Sequence, residues 1–373
     1  MLFTQEGDPV FPLGMYEQPR DAAEWAQWAK AGVNLLRCHT EEDLDRAHSS
    51  GMMGWVPVPM IVGDHKSEEA LEKRVRNLRD HPALQVWEAP DEAIWNACRL
   101  EDGRVSTRLW SLGPSVKKSV FTRLEAVVEG LRRGSALVRR LDGSRKIWLN
   151  EACKSDQDTL ARCLPFLDIV GFDYYPVPES ESKARALPLI GRYVDRFRRT
   201  APSHEIWVVE QAFSWSTIRP EDNRRRAYPT LDQFRFMAWD AVAHGATGLL
   251  WWGSHHEDRP AAFLAHLMKT VSELSGLQSF LVSGEAGRIS VEVDNRQNPA
   301  LVGVSYTMRR SGDEAMLVLA NEDRFEHDVM IRGVERFDLG GFQPLWEDES
   351  ELEKTSEGWI VKMKGLQVRV YVG

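Results

Sequence analysis

The chain has 373 residues, of which 43% are hydrophobic, so it can bury a large core and is long enough for a second domain of modest size. Its formal net charge of −9 argues against a nucleic-acid partner, because binding to phosphates requires a basic surface. Its apolar stretches, such as residues 247–252, are far shorter than the roughly 20 residues that cross a bilayer, so we expect no membrane span.

The N-terminus and the cysteines indicate the compartment. No basic region followed by a long apolar segment opens the sequence, so we expect no signal peptide in the chain as written. Cys38, Cys98, Cys153 and Cys163 show no Cys-x-x-Cys spacing, which is typical of reduced thiols and does not indicate a zinc site. We therefore expect a cytoplasmic protein, or a secreted or periplasmic one if a signal peptide has been removed.

Short apolar runs alternate with amphipathic segments over most of the chain. The predicted strands are 12–16, 33–39, 54–60, a run that begins at 86, then 146–151, 168–176, 206–210 and 248–253. The predicted helices are 21–32, 40–48, 67–79, 114–141, 155–164, 182–200, 230–244 and 260–274. Two prolines interrupt the third strand, so its pairing should be partial or bulged. Residues 94–113 have no clear period and predict a long loop.

This alternation predicts a (β/α)8 TIM barrel over residues 1–277 rather than an open doubly wound sheet. From 278 to 373 the pattern changes to alternating short runs, such as 316–320 and 368–372, which predict a small all-β, sandwich-like domain. Glycine-rich phosphate motifs are absent from the sequence, so nothing in it indicates nucleotide chemistry.

Two of the predicted barrel strands end in glutamates. Glu92 closes the acidic cluster after the fourth strand, and Glu210 ends the seventh. The carboxyl ends of barrel strands open into the cleft where such folds carry out chemistry. We expect these two carboxylates to face each other there, with Glu88 as a structural acid that pairs with a base inside the barrel.

The acidic cluster also resembles a known family. Residues 86–93, V-W-E-A-P-D-E-A, are similar to the apolar-E-x-x-N-E-P pattern that ends the fourth strand in clan A, a large group of retaining glycoside hydrolases with (β/α)8 barrels. Residues 7–16 resemble the opening strand of many members, and residues 34–39 resemble the N-x-x-R-x-x-H end of strand two. The resemblance covers residues 1 to about 275.

The resemblance implies a function and a set of site residues. It implies a retaining glycoside hydrolase that cleaves β-linked glycosides, with Glu92 as acid/base and Glu210 as nucleophile, and with no metal or organic cofactor. A carbohydrate is the expected partner, and the sequence predicts no oligomeric state. The implied substrate-binding residues are Arg37, His39, Trp87, Asp91, Asn150, Tyr174, Tyr175, Trp251 and Trp252. Along a strand Trp251 and Trp252 alternate in direction, so one faces the sugar and the other faces the helices.

Two positions depart from the family pattern. Asp91 replaces the usual asparagine, and Ala93 replaces the usual proline. An ionised aspartate can only accept hydrogen bonds, so recognition of the sugar 2-hydroxyl, or the pKa of Glu92, should differ from that of the family.

Several alternatives stay open at this point. Glu151 follows an asparagine and becomes the acid/base if the strand count is shifted by one. A barrel that has lost catalysis and only binds carbohydrate is the other functional class, and an inverting mechanism would be decided by the carboxyl separation. The run His255-His256-Glu257-Asp258 predicts a polar rim rather than a metal site.

Overall fold

The computed structural model describes residues 1–4, 7–178, 186–219, 227–255, 260–287, 289–293, 303–333, 337, 341–346 and 351–373. A short antiparallel hairpin, β1 (Leu2–Phe3) and β2 (Pro9–Val10), opens the chain. The predicted barrel follows it and is confirmed. Within the described ranges, no helix is long and apolar enough to cross a membrane.

Eight parallel strands form the closed barrel. They are β3 (Leu13–Met15), β4 (Leu35–Arg37), β5 (Met53–Pro57), β6 (Leu84–Glu88), β7 (Lys146–Ala152), β8 (Ile169–Tyr174), β9 (Glu205–Gln211) and β10 (Gly248–Trp252). Pairing of β10 with β3 closes the ring. The third strand is bulged between Gly54 and Trp55, as its prolines predict, and it ends at Pro57 instead of residue 60 because proline offers no N–H to the ladder.

Helices surround this barrel. They are α1 (Ala22–Ala31), α2 (Glu41–Ser49), α3 (His65–Leu78), α4 (Ala93–Ala97), α5 (Pro114–Leu141), α6 (Gln157–Cys163), α7 (Leu189–Thr200), α8 (Trp215–Ile218), α9 (Leu231–Ala243), α10 (Ala261–Ser275) and α11 (Gln278–Leu281). The predicted loop 94–113 is wrong in part, because α4 lies inside it. The predicted start of the sixth helix, residue 182, lies outside the described residues. The helix predicted to start at residue 67 starts at His65, with Asp64 as its N-cap, and Ser67 completes the capping box.

Tryptophans fill the barrel interior. The rings of Trp55 and Trp148 lie 5.7 Å apart, and those of Trp148 and Trp207 lie 5.1 Å apart. Glycines on neighbouring strands make room for them: a Cβ at Gly171 would lie 2.8 Å from the Trp148 Nε1, and one at Gly248 would lie 2.7 Å from the Trp207 ring. All three rings are fully buried, so they form a packed floor beneath the carboxyl ends of the strands.

The C-terminal region consists of two antiparallel sheets, as predicted. One contains β11 (Ser290–Val293), β14 (His327–Arg332), β17 (Gly358–Met363) and β16 (Glu353–Thr355); the other contains β12 (Val304–Ser311), β13 (Glu314–Asn321), β18 (Val368–Val372) and β15 (Gln343–Pro344). Along β13, Leu317 and Leu319 pack into the sandwich, whereas Met316 and Val318 join the core that includes the barrel helices. This sheet therefore packs on both faces, and its outer face docks the domain on the barrel. The predicted boundary at 277/278 stays a prediction.

Candidate active site

Strand direction decides which side chains reach the cleft. Trp207 and Val209 of β9 belong to the interior cluster, together with Trp55 and Trp148, while Val208 belongs to the helix-side core. Because successive side chains of a strand point to opposite faces, the same alternation can be followed along every barrel strand. The interior set continues upward to the following residues at the strand ends: Tyr16, Arg37, Glu88, Asn150, Asp173, Tyr175 and Trp252.

Arg37 and Glu88 form a bidentate ion pair at the bottom of the cleft. The Arg37 Nε and Nη2 donate to the two Glu88 carboxylate oxygens at 2.8 and 3.0 Å, and the Trp55 Nε1 donates to Glu88 at 3.1 Å. Burial raises the pKa of Glu88 to about 7, and the Arg37 cation opposes that shift. Both Glu88 oxygens are thus engaged, which agrees with the structural role expected for this acid.

Glu92 lies at the rim in an unusual backbone conformation. Its φ of 49° and ψ of 37° place it in the left-handed region, which a glutamate rarely adopts. Its backbone N–H donates to the Asn150 carbonyl at 3.0 Å. Burial, followed by the charge of Asp91, raises the pKa of Glu92 to about 7, while Arg99 acts in the opposite direction. A partly exposed carboxyl group with this pKa can donate a proton near neutral pH.

Glu151 holds the short helix that follows Glu92. Its carboxylate accepts hydrogen bonds from the backbone N–H groups of Ile94 and Trp95, at 2.7 and 3.1 Å, and from the Ser155 hydroxyl at 2.6 Å. Its side chain is fully buried, and burial raises its pKa to about 8 against these hydrogen bonds. Glu151 therefore serves as the capping group of α4, which does not favour it as the acid/base.

Asp91 and Asn150 form a second polar contact at the mouth. The Asn150 Nδ2 donates to the Asp91 Oδ1 at 2.9 Å, so one acceptor of the aspartate is engaged. Asp91 is exposed as a residue, but its carboxyl group is surrounded by protein atoms, and this burial raises its pKa. The Asn150 Oδ1 is buried and has no protein partner in the described part of the chain.

Asp173 is the cleft acid that the sequence interpretation missed. It occupies the interior side of β8 between Gly171 and Tyr175, and one of its carboxylate oxygens is buried without a hydrogen-bond partner among the described residues. Burial, then the charges of Glu92 and Asp91, hold its pKa well above the usual range. The available signal was its position: an acid two residues before Tyr175 must share that residue's face of the strand.

Aromatic rings line the opposite wall. Tyr175 stacks on Trp252 with ring centroids 5.5 Å apart and an angle of 27° between the planes. Phe213 lies edge-on to Trp252 at 5.1 Å, and Trp215 lies edge-on to Phe213 at 5.2 Å. Of the predicted tryptophan pair, Trp252 is therefore the one at the mouth. Flat apolar rings that face polar side chains across the cleft suit the amphipathic faces of a sugar.

Four predicted site residues lie on the helix side of the barrel instead: Trp87, Tyr174, Trp251 and Glu210. Trp87 donates to the Asp142 carboxylate at 2.8 Å, and the Tyr174 hydroxyl bonds to the Ala186 backbone at 3.0 Å. Trp251 is fully buried and donates from its Nε1 to the Glu210 Oε2 at 3.0 Å. The expectation that Trp87, Tyr174 and Trp251 contact the sugar is corrected here, because alternation along each strand turns them away from the cleft.

Glu210 shares this placement. It follows Val209, which points inward, and it is fully buried against Trp251. Burial raises its pKa well above the usual range, and Asp240 of α9, outside the barrel, adds to that shift. The structure brings Arg37, Asp91, Glu92, Asn150, Tyr175 and Trp252 together at the mouth, but it does not bring Glu210 to them. Its role as nucleophile stays a prediction.

His39 lies beyond the end of β4. His39 is exposed. Its backbone N–H donates to the Asp43 carboxylate at 2.8 Å, and its carbonyl accepts a hydrogen bond from Arg74 at 2.5 Å. Partial burial lowers its pKa, and the neighbouring Arg37 cation adds to this effect. A neutral His39 at the rim is free to accept or donate a hydrogen bond, so its predicted contact with substrate stays a prediction.

One group of side chains has metal-ligand spacing among the described residues. Candidate ligand atoms of Asp240, His244 and Glu322 lie within 4.8 Å of one another. The His244 Nε2 and Nδ1 already contact Glu322 at 2.7 Å and Asp195 at 3.0 Å, and Arg192 pairs with Glu322 at 2.7 Å. The carboxylates of this cluster pair with Arg192 and with the protonated His244. A metal would instead require a neutral imidazole with a free nitrogen, so ion pairing explains the cluster. Residues 256–258 of the predicted polar rim lie outside the described residues.

Comparison with known proteins finds no family model and no curated protein that match the chain. Solved structures do match it. A GH42 β-galactosidase from G. stearothermophilus aligns over 97% of this chain and 98% of its own, with a TM-score of 0.62 and 10% identity. A β-galactosidase from the psychrophilic Marinomonas ef1 aligns over 71% of this chain, with a TM-score of 0.53 and 14% identity, and the match spans 60% of that enzyme.

Isomaltulose synthase from Klebsiella sp. LX3 also matches, over 97% of this chain and 98% of its own, with a TM-score of 0.55 and 8% identity. Structural neighbours therefore include β-galactosidases of the clan that the strand-end acids resemble. Because both a β-galactosidase and a synthase match at such low identity, the likeness shows the fold alone.

Proposed function

We propose that this protein is a retaining glycoside hydrolase that cleaves β-linked glycosides, with Glu92 as acid/base. The observation that carries the proposal is the placement of Glu92: a partly exposed carboxyl group with a pKa of about 7 at the mouth of the barrel, opposite stacked aromatic rings. The fold shared with glycoside hydrolases supports the same conclusion by analogy.

The charge of the cleft suggests the class of sugar. Three carboxyl groups, those of Asp91, Glu92 and Asp173, act on one another's charges at the mouth, and the Arg37 cation below them is already paired with Glu88. Acids without a free cation beside them stabilise, in their ionised forms, the positive charge of an oxocarbenium-like transition state, and an anionic sugar would raise their pKa values further and be repelled. The substrate is therefore a neutral sugar, such as a hexoside or pentoside, rather than a glucuronide.

The experiment compares leaving groups. Wild-type protein and the Glu92→Gln variant are assayed on phenyl and 2,4-dinitrophenyl β-glycosides of glucose, galactose, mannose, xylose and glucuronic acid. Because only the poor leaving group needs a proton, Glu92→Gln should lower kcat/KM about 10²- to 10⁴-fold on the phenyl glycoside and much less on the dinitrophenyl glycoside.

Glu101→Gln is the matched control. It makes the same change at an exposed glutamate in the loop after α4 and should leave both rates at the wild-type value. Equal losses on the two leaving groups would show that Glu92 is not the proton donor. Sugar binding without any turnover would instead support the alternative, a barrel that only binds carbohydrate.

A further inference from the structure

We propose that Asp173, on the sixth barrel strand, is the nucleophilic carboxylate that completes the site with Glu92. This inference rests on the proposed glycosidase function. It places the second catalytic acid on β8, at Asp173, instead of on β9, at Glu210. It begins from a requirement of the chemistry: double displacement needs a second carboxyl group that faces the same sugar as the acid.

The geometry of β8 places Asp173 in the cleft. Ile169 belongs to the interior cluster and Tyr175 packs against it, so Asp173, which shares their parity, is also on the interior side. Gly171 lies directly below it on that side, where the strand passes over the Trp148 ring. Asp173 therefore stands on the tryptophan floor, next to the Tyr175 ring that lines the cleft.

Its surroundings single Asp173 out from the other acids. Glu88 is engaged by Arg37, Asp91 accepts from Asn150, and Glu151 caps α4. Asp173 instead has a buried carboxylate oxygen without a partner among the described residues. The Glu92 N–H donates to the Asn150 carbonyl, and Asn150 pairs with Gly171, two residues before Asp173, so Glu92 and Asp173 both lie beside the carboxyl end of β7. Asp173 is partly exposed as a residue, and no described side chain holds that oxygen in place, so the carboxylate can turn toward a bound sugar.

Glu210 does not meet the same requirement. Its Oε2 accepts from Trp251 on the helix side of β9, and the acid that acts on its charge is Asp240 rather than Glu92. Reaching the sugar would require its side chain to cross the backbone of its own strand, whose ladder pairs Glu210 with Tyr174 and Trp251. A paired central strand does not permit that rotation without loss of the ladder.

The reaction balances with these two acids. The reactive form carries one proton on Glu92, which removes the Glu92 charge that raises the pKa of Asp173 and so favours an ionised Asp173. The Asp173 carboxylate attacks the anomeric carbon, the bond from that carbon to the leaving oxygen breaks with its electron pair on oxygen, and Glu92 donates the proton to that oxygen. Water then attacks the anomeric carbon of the glycosyl ester, Glu92 takes the proton from water, and the electron pair of the ester bond returns to Asp173. Glu92, at the open rim, lies where the leaving group departs and water enters.

The test uses the dinitrophenyl glycoside that the wild-type chain cleaves. The variants are Asp173→Ala, Asp173→Asn and Glu210→Gln, with Asp158→Asn as the matched control on the exposed start of α6. Asp173→Ala and Asp173→Asn should lower kcat at least about 10³-fold, and azide should restore Asp173→Ala with formation of a glycosyl azide of inverted configuration. Asp158→Asn should keep the wild-type kcat. Glu210→Gln, which keeps an acceptor for Trp251, is compared with Asp173→Asn, and the loss of kcat should be far larger in Asp173→Asn.

A second readout does not depend on how the variants fold. The wild-type chain is incubated with a 2-deoxy-2-fluoro glycosyl fluoride of the same sugar, and the labelled peptide is mapped by mass spectrometry; the label should lie on Asp173. A label on Glu210, or native activity in Asp173→Asn, would overturn the inference and leave the glycosidase proposal intact. An azide product of retained configuration would also overturn it, by making Asp173 the acid/base. A wild-type chain that cleaves no glycoside of the panel would contradict the proposed function itself.

Discussion

Asp91 supplies the charge that sits beside Glu92 where similar enzymes have an asparagine. Because a neighbouring negative charge raises the pKa of an acid, Asp91→Asn should lower the pKa of Glu92 from its value of about 7. Catalysis needs Glu92 protonated, so kcat/KM should fall as pH rises through about 7 in the wild-type chain and through a pH roughly 0.5 to 1 unit lower in the variant.

The measurement is kcat/KM from pH 4.5 to 9 on the phenyl glycoside. Asp158→Asn is again the control, and its alkaline limb should coincide with that of the wild-type chain. An alkaline limb that stays in place in Asp91→Asn would show that this charge does not act on the proton donor.

Trp251 and Trp252 are adjacent in sequence but should respond differently to substitution. Trp252→Ala removes the ring that stacks on Tyr175 at the mouth, so KM should rise about tenfold while the melting temperature changes little. Trp251→Phe removes the buried donor to Glu210 and should lower the free energy of unfolding by about 1 to 3 kcal/mol without changing KM. Steady-state kinetics and urea unfolding of both variants check this; the reverse pattern would place Trp251 in the cleft.

At the residue scale, the strand ends were predictable but the faces were not. The strands predicted at 206–210 and 248–253 end at Gln211 and Trp252 in the structure, each within one residue of the prediction. Parallel barrel strands are covered by side chains inside and by helices outside, so both faces are apolar and no alternation marks the interior. Asp173 was overlooked for the same reason: its spacing from Tyr175 shows that the two residues share a face, but the run does not show that this face is the interior one.

At the scale of one element, α4 depends on Glu151. A helix of five residues is too short to be stable alone, and Glu151 binds its first free N–H groups. Glu151→Gln keeps the shape but has a single acceptor oxygen, so one N–H should be left unpaired and the free energy of unfolding should fall by about 1 to 3 kcal/mol. Since α4 begins directly after Glu92, kcat should fall as well.

Urea unfolding and kcat on the phenyl glycoside test this prediction. The control is Glu125→Gln, which removes an exposed ion pair with Arg162 and should change the free energy of unfolding by less than about 1 kcal/mol. A Glu151→Gln variant with wild-type stability and kcat would show that α4 holds its position without this contact.

Long elements were predicted closely and short ones were not. The helix predicted at 114–141 has those bounds in the structure, because its apolar stripe runs through many turns and a proline opens it. α4 escaped detection because one turn carries no period, and its stability comes from Glu151, a residue on a different strand. Tertiary contacts of this kind are invisible to local patterns.

At the scale of the whole molecule, His244 joins the two domains. It follows α9 of the barrel and contacts Glu322 and Ser305 of the C-terminal sheet at 2.7 and 2.8 Å. Burial alone would lower the pKa of His244, but Glu322, Asp240 and Asp195 outweigh it and raise the pKa to about 9. The ordinary value is 6.5, so the charged form is favoured in the folded chain.

This shift predicts how stability depends on pH. The stabilisation by His244 is complete below about pH 6.5 and is lost as pH rises through about 9, because the folded chain then gives up a proton that it holds more tightly than the unfolded chain does. The free energy of unfolding should therefore fall by roughly 1 to 3 kcal/mol between pH 7 and 9.5. His244→Gln should show a flatter dependence, whereas His65→Gln, at an exposed site, should match the wild-type chain.

Urea unfolding at a series of pH values measures this dependence. An equal slope in His244→Gln and in the wild-type chain would assign the effect to another group. The sequence predicted the second domain but not this junction, since His244 and Glu322 are 78 positions apart and neither lies in a recognisable motif.

The fit between tryptophans and glycines inside the barrel has an evolutionary consequence. Gly248 can gain a methyl group only if the Trp207 ring gives way, whereas at Gly171 the methyl group would also meet the Trp207 backbone oxygen at 2.8 Å, which no side-chain change removes. A paired change at 207 and 248 can restore packing, so these two positions are expected to vary together in related sequences, while 171 should stay glycine. Covariation at 207 with 248 would then mark lineages that rebuilt the floor of the cleft and with it the depth available to a sugar.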